Sequence, residues 1–340
     1  MVSNSVEVKQ LNVERIRRAV QSHESCTKAD IANETLLSVA TCSTILNEMA
    51  ESGEIIKIDQ KDSVVGRPAG IFAYNRDYQH VLCLCLDYDS GAGVATVRCA
   101  VADALGRVIR REDRNSKQFD YTRLEELVGE FLEADSRIAA AGIGIPGVAE
   151  NGQVEFCEIK SLESVDIAGL LGKKYGVEIL VENNMTFVTY GLHVKLTGQA
   201  GDLAAVLFPK GSEACIGCGF MINGRIHHGA SMMAGEMSYI ARGFGISREE
   251  QQQMLEERGL FRRLAAQILL TIICTVNPKH VVFMGNGVSR ADLPEIEKNC
   301  LRVVHKRHIP ALTIDNDIAE NYQNGVIRFL LDTKQYRYSM

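Results

Sequence analysis

The chain has 340 residues, 46% of them hydrophobic, with 37 Lys and Arg against 43 Asp and Glu and a net charge of −6. This is enough for two or three domains with full cores, and it confines any attraction to nucleic acid to local patches. No apolar run reaches the roughly eighteen residues of a membrane span and no secretion leader is visible, so a cytoplasmic protein without membrane contact is expected.

In chain order, Val13, Ile16 and Val20 predict a first helix with Arg15, Arg17 and Arg18 on its wet side. Thr27 and Ser38 stand where helix N-caps are wanted, one short helix and a tight turn apart. Behind Ser38, Cys42, Ile45, Leu46 and Met49 form an i, i+3, i+4, i+7 stripe that leaves Ala40, Ser43, Thr44 and Asn47 on the opposite face. Small and polar side chains there suit a helix lying in a DNA major groove. Residues 54–58 and 71–74 read as two strands around a turn holding Gly66-Arg67-Pro68, which forms a wing.

Residues 1–78 are therefore expected to form a winged helix-turn-helix. Its DNA-contacting set is Arg15, Arg18, Thr27, Lys28, Ser38, Val39, Ala40, Thr41, Ser43, Thr44, Asn47 and Arg67, and the phosphate contacts are expected from Arg15, Arg17, Arg18, Lys28, Lys57, Lys61 and Arg67. Val39 suits a thymine methyl, and Thr41, Ser43, Thr44 and Asn47 suit base edges. Nine Lys and Arg stand against eleven Asp and Glu through residue 78. Modest affinity per protomer, and hence a homodimer on two half-sites, is expected. The same pattern also fits a small helical domain or a winged helix that binds protein.

From about residue 80 strands and helices alternate. Strand-like runs cover 81–87, 97–103, 107–111, 139–145, 154–159 and 178–181, with helices at 122–134 and 165–175. A second lobe opens near 202, with strands 203–208 and 216–222 and a hairpin turn at Asn223-Gly224. One long helix over 249–276 leads to strand 281–284, and helices 294–305 and 320–331 flank strand 311–314. This indicates α/β layers with a mixed sheet, in lobes 79–201 and 202–340, the last helix packing back on the first lobe. Ten cysteines, with Cys83, Cys85, Cys99 and Cys274 in apolar runs, suit buried thiols in a reducing compartment. Cys215-Ile-Gly-Cys218 is a lone pair, read as packing rather than metal.

The succession of GRPA at 66–69, GIGIPG at 142–147, VEN at 181–183, NGR and GA within 223–230, AGE at 234–236 and GNGVSR at 285–290 resembles the ROK family (repressor, open reading frame, kinase) over about residues 10–330. The resemblance implies an N-terminal winged helix-turn-helix followed by an actin-like, ribonuclease H-like, two-lobed sugar-kinase fold with the ligand between the lobes. Some members are sugar kinases; others carry the DNA-binding head and regulate sugar-responsive genes. Gly147, Asn183, Asn184 and Glu236 are the ligand-binding candidates it implies.

The departures from the family pattern point away from catalysis. Kinases of the family have an Asp as general base where Asn184 stands, and an amide cannot take that proton; losing such a base costs about 10²–10⁴ in rate. The first phosphate loop, Asp87-Tyr-Asp-Ser-Gly-Ala-Gly-Val, lacks the Gly-Gly-Thr turn, and the second reads Glu213-Ala214-Cys215 in place of Gly-Thr-Gly. The zinc-ligand His is replaced by Tyr239, and 240–249 holds no cysteine, so no metal and no cofactor are expected. Leu36 replaces the Gly of the helix-turn-helix turn, where a left-handed backbone strains a side chain. The expected protein is a non-catalytic repressor binding double-stranded operator DNA, with a sugar or sugar derivative as effector. Alternatives are an ATP-dependent sugar kinase with a vestigial head and a protein-binding scaffold.

Overall fold

The computed structural model describes residues 2–58, 70–196, 201–209 and 215–337. At the N-terminus, α1 (Val2–Ser22), β1 (Cys26–Thr27), α2 (Lys28–Thr35), α3 (Val39–Glu51), β2 (Ile55–Ile58) and β3 (Ile71–Tyr74) build a head. The three strands form an antiparallel sheet with β3 in the centre. Ile16, Val20, Ile31, Cys42, Ile45, Leu46 and Phe72 make its core, so the α3 stripe faces inward. Thr27 and Asp30 cap α2 reciprocally, and Ser38 Oγ accepts the Thr41 amide to cap α3. Between the helices Leu36 is left-handed, φ 56° and ψ 28°, with its side chain 85% exposed.

One expected DNA contact is corrected. Arg17 does not face solvent: it turns inward to the buried Glu54 carboxylate, bonds Glu14 at 2.8 Å, and shares Glu54 with the Tyr74 hydroxyl at 3.2 Å. A buried carboxylate requires a cation, and Arg17 is the one in reach. The wing turn Gly66-Arg67-Pro68, with Lys61 and Arg67, lies outside the described residues.

The first lobe is a meander, β4 (His80–Asp89), β5 (Val94–Ala102) and β6 (Val108–Ser116), followed by α4 (Tyr121–Ala134) and β7 (Ile138–Ile145). The hairpin β8 (Gly147–Glu150) and β9 (Gln153–Cys157), then α5 (Ile167–Tyr175) and β10 (Glu178–Asn183), complete it. The sheet order is β10-β7-β4-β5-β6, with β7 parallel to β4 and β10. Buried side chains of α4 and α5 join those of the sheet in one core.

After α6 (Asn184–Lys195), the second sheet takes β11 (Leu203–Leu207), β12 (Gly217–Ile222) and β13 (Arg225–Ile226). Then come α7 (Ser238–Gly243), α8 (Arg248–Glu256), α9 (Arg258–Thr275), β14 (His280–Met284), α10 (Leu293–Cys300), β15 (Ala311–Ile314) and α11 (Ile318–Arg337). Its order is β13-β12-β11-β14-β15, with α9 and α10 packed on one face. Helices α6 and α11 lie in a third core together with residues of both sheets. A β-carbon at Gly191 would stand 2.0 Å from the Asn321 carbonyl oxygen, and one at Gly325 1.8 Å from that of Phe187. The two helices therefore cross backbone to backbone.

Three sequence expectations change. The helix over 249–276 is two helices, broken at an extended Glu257, because Arg258 is tied to the Gly287 carbonyl at 2.7 Å and to Ser289 at 2.9 Å. The helix expected to reach 305 ends at Cys300. Cys274 is exposed, as is Cys215, since the outer side of α9 carries it; the other eight thiols are buried and all ten are free.

The head joins the body through packing. Ala104, from the β5–β6 turn, is buried in the head core with Leu105 against it. Asp103 accepts the amides of Leu105 and Arg107 at 2.9 Å, Ala104 donates to the Arg76 carbonyl at 3.0 Å, and buried His80 bonds Asp135 at 2.5 Å and Asp77 at 3.2 Å. Among the described residues no helix is long and apolar enough to cross a membrane.

A left-handed residue with a β-carbon costs about 1–2 kcal/mol. Leu36→Gly should therefore raise head stability by about 1 kcal/mol, read as a higher denaturant midpoint by circular dichroism. A lower midpoint would mean that the leucine side chain makes a native contact worth more than the strain.

Candidate functional site

Two regions gather the expected functional residues. On the head, the side of α3 away from the core exposes Val39, Ala40 and Thr44 and half-exposes Thr41, Ser43 and Asn47. Ser38 caps at its start, and Thr27 and Lys28 open the neighbouring α2. The Lys28 ammonium donates to Ser43 Oγ at 2.6 Å and lies 5.9 Å from the centre of the Phe72 ring. Arg15 and Arg18 are exposed on α1, where Arg18 pairs with Glu14 at 2.8 Å, and Lys57 is exposed on β2. Nine of the twelve expected contacts thus belong to α1, the α2 start and α3, with Thr27 and Ser38 at the caps; Arg67 lies outside the described residues.

The second region is the cleft where β10 turns into α6. Asn183 accepts the Met185 amide at 2.7 Å and donates to the Gly147 carbonyl at 2.6 Å, so its amide is already bonded to backbone on both sides. Glu236 comes from the opposite lobe, held by a backbone bridge to Gly217, and burial pushes its carboxyl above the ordinary carboxylate range. Gly235 is required there: its φ is 104°, and a β-carbon would stand 1.7 Å from the Cys218 carbonyl oxygen. Asn183, Thr186, Cys218, His228, Met232 and Glu236 line a cavity of about 40 Å³. That volume holds a few waters and is too small for a sugar ring.

Two ligand candidates lie outside this cavity. Gly147 does not line this cavity; it packs against β9, where a β-carbon would meet the Phe156 carbonyl at 2.1 Å. Asn184 starts α6 and does not line it either. Sequence reasoning missed a pair that does bridge the lobes: Glu182 Oε2 and His228 Nε2 are 3.2 Å apart, each without a hydrogen-bond partner among the described residues. They are 46 positions apart, so spacing carried no signal.

Residues 85–245 match the ROK family. The chain is 21% identical over 252 residues to the xylose repressor of Bacillus subtilis (strain 168), covering 72% of this chain and 63% of that protein. It is 23% identical over 246 residues to the DNA-binding transcriptional dual regulator NagC of Escherichia coli (strain K12), covering 68% and 58%. The matched stretch is thus less than two thirds of either relative. The family match spans a little under half of this chain. Its fold is similar to a ROK family transcriptional regulator described as a homologue of the E. coli MLC protein, with a TM-score of 0.74 at 16% identity, covering 98% of this chain and 99% of that one. It is also similar to a ROK hexokinase from Thermus thermophilus, with a TM-score of 0.57 at 15% identity, covering 75% and 99%. The body is therefore a ROK-type, sugar-kinase-like α/β fold with two mixed sheets.

Within the matched residues the phosphate-loop positions do not form a phosphate cradle among the described residues. The first is the connection of the antiparallel β4–β5 hairpin, where Asp89 accepts the Ala92 amide at 3.0 Å and Asp87 is ion-paired with Arg98 across the strands. Of the second, Glu213 and Ala214 lie outside the described residues, and Cys215 is exposed. Tyr239, in the zinc-histidine position, points to solvent under the Arg242 guanidinium at 4.9 Å. Among the described residues no three His, Cys, Asp or Glu stand close enough to hold a metal.

A carboxyl raised by burial binds its proton more tightly folded than unfolded. Its contribution to stability therefore falls as pH rises from the ordinary glutamate range through the folded pKa. Glu236→Gln should be more stable than the parent at neutral pH, and the difference should vanish below about pH 4. Denaturant midpoints measured from pH 4 to 8 check the sign; a variant less stable at pH 7 would show that the carboxylate has an ionic partner.

Proposed function

We propose that this chain is a non-catalytic, cytoplasmic transcriptional repressor of the ROK type. Its winged helix-turn-helix, residues 1–78, reads double-stranded operator DNA, and its lobes, 79–201 and 202–340, sense a sugar or sugar derivative. The observation that carries the reading is the α2–turn–α3 unit, with its apolar stripe buried and small polar side chains presented outward. The repressor names of the Bacillus relative and the fold shared with a ROK regulator support it. One weakly charged head holds a specific site poorly, so two chains on a two-fold axis present two α3 helices to successive half-sites. A ligand that prefers one degree of lobe closure shifts the population of head spacings.

Loss of catalysis rests on Asn184 in the general-base position and on the Asp87–Arg98 pair at the first phosphate loop. Effector binding would use Asn183 and Glu236, which line the cavity, with Gly147 holding Asn183 in place and Asn184 beside it at the start of α6. Admitting a sugar ring would require the cleft to widen. A protein-binding scaffold is the second reading, favoured by the exposed Leu36 and Val39 beside α3.

Fluorescence anisotropy with the DNA upstream of the gene, at two salt concentrations and against a scrambled duplex, tests the assignment. Specific binding weakened by salt is expected, and binding equal to that of the scrambled duplex shifts the reading to the scaffold. On the bound fragment, Arg67→Ala should weaken binding across sequences and flatten its salt dependence, whereas Asn47→Ala should change base preference. In a coupled ATPase assay Asn184→Asp should show no sugar-dependent turnover; measurable turnover would mean that the altered loops still hold nucleotide.

A further inference from the structure

We infer that Lys28 and Ser43 together form a two-donor reader of guanine in the major groove. The inference rests on the reading of α2 and α3 as a DNA-binding helix pair, and it adds a base identity to it. Lys28 is the first residue of α2, and Ser43 lies on the outward side of α3, fifteen positions later. Their Nζ and Oγ atoms are 2.6 Å apart. An ammonium has only protons to give, so Ser43 Oγ must be the acceptor of that bond. One lone pair of the hydroxyl is thereby occupied, and its own proton is left to donate. The adjacent Thr44 behaves differently, giving its hydroxyl proton to the Ala40 carbonyl one turn back at 3.2 Å.

The ammonium is positioned from three sides. Thr27 and Asp30 fix the backbone from which Lys28 springs, Ser43 receives one proton, and the Phe72 ring of β3 lies alongside. Both side chains keep partial exposure, so a ligand can reach them. What they present is two neighbouring donors and no strong acceptor. Of the four bases, guanine alone shows two neighbouring acceptors, O6 and N7, in the major groove. Adenine pairs its N7 with the N6 donor, cytosine offers a donor, and thymine offers one acceptor beside a methyl group. An all-donor pair therefore selects guanine and meets an opposed donor at adenine. A lysine expected to touch only phosphate, without sequence preference, instead carries sequence information.

The test enriches duplexes from a random pool with the full chain, then titrates the recovered site by anisotropy. Replacing one G·C pair in each half-site by A·T should weaken wild-type binding about tenfold or more. Replacing that guanine by 7-deazaguanine, which removes only N7, should cost part of the same factor and requires no protein variant. Lys28→Met should bind the G·C and A·T forms alike, Lys28→Arg should keep the preference, and Ser43→Ala should narrow it. If Lys28→Met lowers affinity equally for every sequence and reduces the salt slope by about one, Lys28 is a phosphate contact and the inference fails. Unchanged guanine preference in Lys28→Met overturns it as well. Enrichment of no sequence at all instead overturns the DNA-binding reading beneath it.

Discussion

The body is organised by the crossing of α6 and α11, where each helix leaves out a side chain so that the other's backbone can pass. Gly191 faces the Asn321 carbonyl and Gly325 faces that of Phe187. The sheets make the same concession beneath these helices: Gly142 and Gly144 sit under Val326 and Tyr322, and Gly219 sits under Thr189. Added methyl groups in so tight a core force backbone shifts, which cost typically about 1–3 kcal/mol each. Both lobes are thus registered on one helix pair. Because Asn183 caps α6 and lines the cavity, the helix N-terminus marks the place where the cleft lies.

The same helix pair is in packed continuity with the head. The Arg328 guanidinium of α11 lies against Gly106, where a β-carbon would stand 3.1 Å from it. Gly106 belongs to the turn whose Ala104 is buried among head residues, and whose Asp103 accepts from the amides of Leu105 and Arg107 and from Arg76. Lobe geometry and head position therefore share a row of touching residues, with no unstructured tether between Tyr74 and His80.

What the sequence showed, and what it hid, follows from the range of the forces involved. The α3 stripe was legible because a short helix buried on one side has a period, and its Ser38 cap is a local bond. Leu36 was legible as strained because the turn geometry is local too. Arg17 was not: Arg15, Arg17 and Arg18 are adjacent, and only Glu54, 37 positions on, decides which turns inward. The break at Glu257 was hidden for the same reason, since Arg258 is fixed by residues near 289. Helix α6 is buried on nearly every side, so it shows little periodicity for sequence patterning to detect. In the cleft, the motifs located Asn183 and Glu236, but whether their polar atoms were free depended on backbone groups that no motif records.

The burial of Ala104 among head residues bears on how such a head and body can be recombined. A head cut after residue 78 would leave a gap where Ala104 and Leu105 sit, and an apolar surface open to water. A new head spliced onto this body would in turn have to accept that turn as part of its own interior. The transferable unit is therefore larger than the head fold itself. It includes the β5–β6 hairpin, and shuffling of specificities is restricted to heads that have a complementary notch.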